Sequence, residues 1–212
     1  MKVSQRGQVP PFAVMEILAA ANARRAAGED VLSLCAGEPS AGAPAVVRQR
    51  AVELLTRGDL GYTEPMGAPA LRSAIAEHYL RTYGVEFDAS RVVVTTGASG
   101  AFVLAFLAAF DPGDRVAVAR PGYPAYTNIL RSLGCEVVEL ACGPQTRYQP
   151  TIAQLTAAYY EGGLDGLVVA SPANPTGTML SAQDLAALAR WCEEFEVRLI
   201  SDEIYHGITY TA

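Results

Sequence analysis

The sequence predicts an α/β protein, a mostly parallel β-sheet with helices on both faces, preceded by an N-terminal helical segment. Three observations carry this expectation. From Arg91 onward, short β-branched and aliphatic runs alternate with longer stretches of helical period. Those runs are apolar throughout, as strands buried on both faces are, rather than alternating between apolar and polar. Before Arg91 the helical period dominates, and glycine marks the ends of the segments.

Taken in order, Pro10 and Pro11 open a helix that runs to Ala27 and stops at Gly28. A short apolar run at residues 31–34 passes into the loop Gly-Glu-Pro-Ser at 37–40. A second helix covers residues 44–57 and ends at Gly58, with Val46, Val47, Ala51, Leu54 and Leu55 at helical spacing. The loop Gly-Tyr-Thr-Glu-Pro-Met-Gly at 61–67 leads to a third helix with Leu71, Ile75, Tyr79 and Leu80 on one side. Strands are then expected at residues 92–95, 116–119, 135–141, 167–170 and 197–201, with helices at 98–110, 126–133, 151–162 and 181–195. Thr151 with Gln154 forms a capping box for the third of these helices, and Ser181 with Asp184 starts the fourth. In such a sheet the ligand crevice lies at the carboxyl ends of the strands.

Bulk properties narrow the function. A chain of 212 residues can bury one substantial core, with or without a small appendage. Half of it is hydrophobic and only 18% is charged, which is not a disordered composition. A formal charge of −6 argues against nucleic acid or an anionic membrane as partner. The segment 12–27 is interrupted by Glu16, Asn22, Arg24 and Arg25, so neither a membrane span nor a signal peptide is expected. Cys35, Cys135, Cys142 and Cys192 are scattered and form no metal-binding pair, which fits reduced thiols in a soluble cytoplasmic protein.

Four strand-end loops carry the chemistry. Residues 95–101, Thr-Thr-Gly-Ala-Ser-Gly-Ala, lie between a strand and a helix, where backbone N–H groups and the Ser99 hydroxyl can cradle a phosphate. Residues 120–126, Arg-Pro-Gly-Tyr-Pro-Ala-Tyr, place Tyr123 to lie against a flat ligand. Residues 171–178, Ser-Pro-Ala-Asn-Pro-Thr-Gly-Thr, offer the Asn174 amide as donor and acceptor. Residues 201–205, Ser-Asp-Glu-Ile-Tyr, end a buried strand in a carboxylate, Asp202, with Tyr205 one turn further on. A buried carboxylate needs a partner, and a protonated heterocycle would supply one. Each of the first three loops, taken alone, is also what an ordinary turn or a packed tyrosine looks like.

Together these residues resemble the class I/II, fold-type I aminotransferases that depend on pyridoxal 5′-phosphate, with motifs in the family's order from Gly37 to Tyr205. The resemblance implies that this is an incomplete large domain of that fold. Residues 1–45 would be an N-terminal segment belonging with the small domain and dimer interface, and 46–212 a partial cofactor-binding domain. It implies that Ala98 and Ser99 hold the cofactor phosphate, and that Tyr123 stacks on one ring face with Ile204 on the other. Asn174 and Tyr205 would bond the ring's phenolic oxygen, with Asn174 also lining the substrate site. Asp202 would pair with the ring nitrogen, making Asp202 and Tyr205 the catalytic residues here. Tyr62 would reach the phosphate of the neighbouring subunit in a homodimer, and Gly37 would lie near the substrate carboxylate. The substrates implied are an amino acid and a 2-oxo acid.

Two features depart from the pattern. The family's Schiff-base lysine and its carboxylate-binding arginine lie downstream of the Asp-x-x-Tyr element, and the single lysine of this sequence is Lys2. The expectation is therefore an N-terminal portion of a longer enzyme, inactive by itself and aggregation-prone at an exposed apolar edge. Three other readings compete. Gly97-Ala-Ser-Gly-Ala101 is an imperfect nucleophile elbow, which would make Ser99 a hydrolase nucleophile with His206 and Asp202. A nicotinamide-binding loop lacks its third glycine. A protein that keeps the cofactor pocket without the lysine would be a non-catalytic binding or regulatory protein.

Overall fold

The computed structural model describes residues 2–35, 37, 41–58 and 60–209. These form two compact units, one made of residues 1–12 and 97–212, the other of residues 13–96. The boundary expected after residue 45 falls at the start of a helix inside the second unit.

In the first unit the apolar runs become four parallel strands: β1 (Arg115–Arg120), β2 (Glu136–Ala141), β3 (Gly166–Ala170) and β4 (Arg198–Asp202). Their order across the sheet is β2-β1-β3-β4. β1 runs beside β2 from Arg115↔Glu136 to Arg120↔Ala141, and β3 beside β4 from Gly166↔Arg198 to Ala170↔Asp202. The chain thus leaves β1 to one side for β2 and then crosses to its other side for β3. This reversal opens a crevice beyond the carboxyl ends of β1 and β3.

Alternate strand residues point to opposite faces and pack against different helices. On one face Val116, Val118 and Val168 join Phe102, Phe106, Tyr126 and Leu130 from two helices, here numbered α4 (Gly97–Ala109) and α5 (Pro124–Leu133). On the other, Ala117, Leu167 and Val169 meet Leu155, Ala158, Leu188 and Trp191 from α6 (Ile152–Gly162) and α7 (Ala182–Glu194). The result is a three-layer sandwich with helices on both faces, the class the sequence predicts. The helix starts follow their capping signals. Thr151 Oγ1 accepts from the Gln154 N–H at 3.3 Å while Gln154 Oε1 accepts from the Thr151 N–H at 3.1 Å, and Ser181 Oγ accepts from the Asp184 N–H at 3.1 Å.

The second unit holds three helices, α1 (Ala13–Ala26), α2 (Ala45–Arg57) and α3 (Pro69–Tyr83). Arg72 ties α3 to the following segment by donating to Ala89 O at 3.2 Å and Val92 O at 3.1 Å. Residues 92–95, expected as a strand, join no ladder among the described residues; Val92 N–H donates to Ala89 O at 3.1 Å and Val94 N–H to Met66 O at 3.0 Å. The β-branched run has the right local preference, but a strand exists only beside a second strand. Val93 and Val94 are left exposed.

Among the described residues no helix is long and apolar enough to cross a membrane, and no group of His, Cys, Asp or Glu could hold a metal ion.

Candidate active site

Asp202 is the last residue of β4 and is buried, 8% exposed. Two donors hold its carboxylate. Tyr126, in the first turn of α5, donates its hydroxyl proton to Oδ2 in a short bond, and the backbone N–H of Ile204 donates to Oδ1 at 3.0 Å. Both donors are neutral, so the carboxylate is oriented without its charge being cancelled. Burial, and then the hydrogen bond and charge of Asp202, push the Tyr126 hydroxyl far above the ordinary tyrosine range. Tyr126 therefore stays protonated and keeps its role as donor.

The approach of α5 explains how Tyr126 arrives there. β1 ends at Arg120, and Pro121-Gly122 turns the chain so that Tyr123 caps α5 with Pro124 as its first residue. A Cβ on Gly122 would collide with the carbonyl oxygen of Ala119, so only glycine allows this turn. Tyr123 is half-buried, with its ring edge-on to Phe12 at 5.8 Å and to Tyr126 at 5.4 Å. Both tyrosines sit on the side of the crevice supplied by β1.

The loop after β3 forms another wall. It closes on itself through Ala173 N–H to Thr178 O at 2.9 Å and Gly177 N–H to Ala173 O at 2.7 Å. Ser171 Oγ accepts from the Leu180 N–H at 3.0 Å, and the bonds before Pro172 and Pro175 are cis. Asn174 projects from this loop, and its Nδ2 donates to the Tyr205 hydroxyl at a long 3.5 Å. Asn174, Tyr205 and Asp202 are thereby gathered at the ends of neighbouring strands β3 and β4. Ile204 is exposed, and its side chain is open to a ligand.

Ala98 and Ser99 lie in the first turn of α4, which carries no acidic residue there, and Ser99 is exposed. The helix begins at Gly97 with φ +78°, a conformation other residues adopt at a cost. The positive end of the dipole of a thirteen-residue helix falls at this point, a place suited to an anion. Gly37 and Tyr62 belong to the second unit, where both are exposed.

Tyr126 was not singled out as a site residue from the sequence. The available signal was a second tyrosine three residues after Tyr123, on the helix that follows a strand end. The hydrolase arrangement of Ser99, His206 and Asp202 does not form. Asp202 is engaged with Tyr126 and Ile204, while His206 Nδ1 lies 3.4 Å from Glu203.

Comparison with known proteins decides the family. The sequence model of the family described as "Aminotransferase class I and II" matches residues 29–212. The chain belongs to the class I and II aminotransferases. It is 55% identical over 209 residues to the valine–pyruvate aminotransferase of Mycobacterium tuberculosis, covering 99% of this chain and 53% of that protein. The crystal structure of an aminotransferase from the same organism superposes with a TM-score of 0.94 at 54% identity, over 100% of this chain and 54% of that one. The aspartate aminotransferase of Thermus thermophilus with maleate gives a TM-score of 0.94 at 35% identity, over 100% and 56%. This aminotransferase chain thus spans about half the length of those relatives.

Family members depend on pyridoxal 5′-phosphate, and the residues present fit that group. A buried carboxylate held only by neutral donors suits a protonated ring nitrogen, and the acid-free start of α4 suits a phosphate. The single lysine of these 212 residues is Lys2, which is exposed.

Proposed function

We propose that the protein carrying this chain transfers an amino group between an amino acid and a 2-oxo acid with pyridoxal 5′-phosphate, and that this chain supplies the cradle for the ring and phosphate. Bound there, the cofactor supplies an electron sink for the carbon that loses or gains the amino group. Asp202 holds positive charge at the ring nitrogen, and Tyr126 and the Ile204 N–H keep its two oxygens aimed. Asn174 and Tyr205 bond the ring's phenolic oxygen, Tyr123 and Ile204 flank the ring faces, and Ala98 and Ser99 bind the phosphate. The observation that carries this reading is a buried anionic group, Asp202, at the ligand edge of a parallel sheet.

The 55% identity to a valine–pyruvate aminotransferase supports an aliphatic amino donor and pyruvate as acceptor. A homodimer, with Tyr62 reaching the partner's cofactor phosphate, and a cytoplasmic location complete the proposal. In the full-length native protein, Asp202→Ala is expected to lower the half-reaction with valine by about 10²–10³-fold or more. Near-normal turnover would remove Asp202 from its assigned role, and preference for aspartate over valine would replace the donor. Tyr62→Phe is expected to speed cofactor loss only in a dimeric protein.

A second reading is a non-catalytic protein that keeps the cofactor cradle built around Asp202, Asn174 and Tyr205. Borohydride treatment followed by mass spectrometry separates the two. A cofactor fixed to a lysine of the native protein supports the transferase, and tight binding with nothing fixed supports the binding protein.

A further inference from the structure

Among the described residues, Gln149 is the one buried amide side chain, 5% exposed. It lies outside every motif that points to the cofactor. Its amide nitrogen is aimed at the Asn174 loop and is within reach of Ala170 O at 3.2 Å, Thr178 O at 3.1 Å and Thr178 Oγ1 at 3.3 Å. Two N–H bonds thus serve three acceptors, two of them on one residue. Ala170 ends β3 and Thr178 is where the loop returns, so Gln149 ties the loop's exit to its entrance. Thr178 O also accepts from the Ala173 N–H, the residue before Asn174.

The backbone that delivers Gln149 is unusual. Arg147 and Tyr148 both have positive φ, 51° and 58°, in the left-handed region that side chains seldom occupy, and two such residues in succession are rarer still. Strain of this kind persists where surrounding contacts demand it, and it gathers near functional sites. The same turn sends Arg147 Nη2 to Met179 O at 3.3 Å, a second donor to the returning arm of the loop.

We propose that Gln149 is a positioning residue for the cofactor site: its amide clamps both ends of the 171–178 loop and so sets the direction of the Asn174 side chain toward the ring oxygen. The inference rests on the cofactor reading above and adds to it a residue that touches neither cofactor nor substrate.

The test uses the full-length native protein with two near-isosteric replacements. Gln149→Met removes the donors at every pH. Gln149→Glu turns the donor into an anion facing carbonyl oxygens at neutral pH, and regains one O–H donor when the carboxyl is protonated. Loss of this clamp is expected to speed dissociation of pyridoxal 5′-phosphate about tenfold in both variants at pH 7.5. Lowering the pH toward 5 is expected to recover part of that retention, relative to wild type, in Gln149→Glu alone. In the cofactor-free protein, hydrogen exchange at the Ala173 and Gly177 N–H groups is expected to quicken while that of β3 is unchanged. A lower melting temperature with cofactor retention and loop exchange within twofold of wild type would make Gln149 a purely structural residue and overturn the inference. If wild-type protein does not retain the cofactor at all, the cofactor reading fails and takes the inference with it. If wild type retains it and both variants match, only the role of Gln149 falls.

Discussion

Residues 97–212 and residues 13–96 use the same local signals to build helices. α2 and α3 stop at Gly58 and Gly84 in the left-handed conformation, as α5 stops at Gly134. Their fates differ in burial. Every fully buried residue described lies at or beyond Phe102, whereas α1, α2 and α3 bury none. Val46, Val47 and Leu55 keep helical spacing and remain exposed, while Leu155, Leu188 and Trp191 keep the same spacing and disappear between α6, α7 and the sheet. A helix end is a local event, settled by a few residues. A core requires two apolar surfaces to meet, and for α4 to α7 the sheet provides the second surface.

The contrast can be tested by urea denaturation of the 212-residue chain. Leu167→Ala, at a fully buried position of β3, is expected to cost about 2–5 kcal/mol, because the sheet leaves little freedom to close the cavity. A loss under about 1 kcal/mol would show the first unit to be loosely packed. Tyr126→Phe removes a donor to a buried carboxylate and is expected to cost about 1.5–3 kcal/mol. It also changes the response to alkali. Tyr126 is held protonated in the fold but ionises near pH 10 when unfolded, so its contribution is complete below that pH and declines as pH rises above it. Wild-type stability is therefore expected to fall above pH 10 more steeply than that of Tyr126→Phe, by at most about 1.4 kcal/mol per pH unit. Equal slopes would mean the hydroxyl is not sequestered.

Smaller effects complete the series. Thr151→Ala breaks the capping box of α6 and is expected to cost about 1 kcal/mol, readable as a shift in the urea midpoint. Leu55→Ala, at an exposed position of α2, is expected to change stability by no more than about 0.5 kcal/mol. A cost as large as that of Leu167→Ala would show that the second unit is packed in solution and erase the contrast.

Much of this was legible in the primary structure because the deciding interactions are short-range. The capping box at Thr151 and Gln154, the cap at Ser181 and the glycine stops need only neighbouring residues, and each forms as its pattern indicates. The apolar runs became β1 to β4 within a few residues of expectation, and Asn174, Asp202 and Tyr205 lie at the strand ends where their motifs put them. Residues 92–95 carry an equally good strand pattern yet form none, because pairing depends on a distant segment. Tyr126 and Gln149 escaped notice for the same reason: their partners stand 76 and 21 to 29 residues away in the chain.

The order of residues alone thus determined the α/β class, the helix ends and the loops that carry polar groups, since propensity, capping and turn chemistry act over one or two turns of chain. Only the tertiary structure decided which apolar faces are covered, which neutral donors hold Asp202, and that a glutamine behind the Asn174 loop braces it. Those outcomes depend on groups brought together by the sheet, and no local pattern encodes which groups will meet.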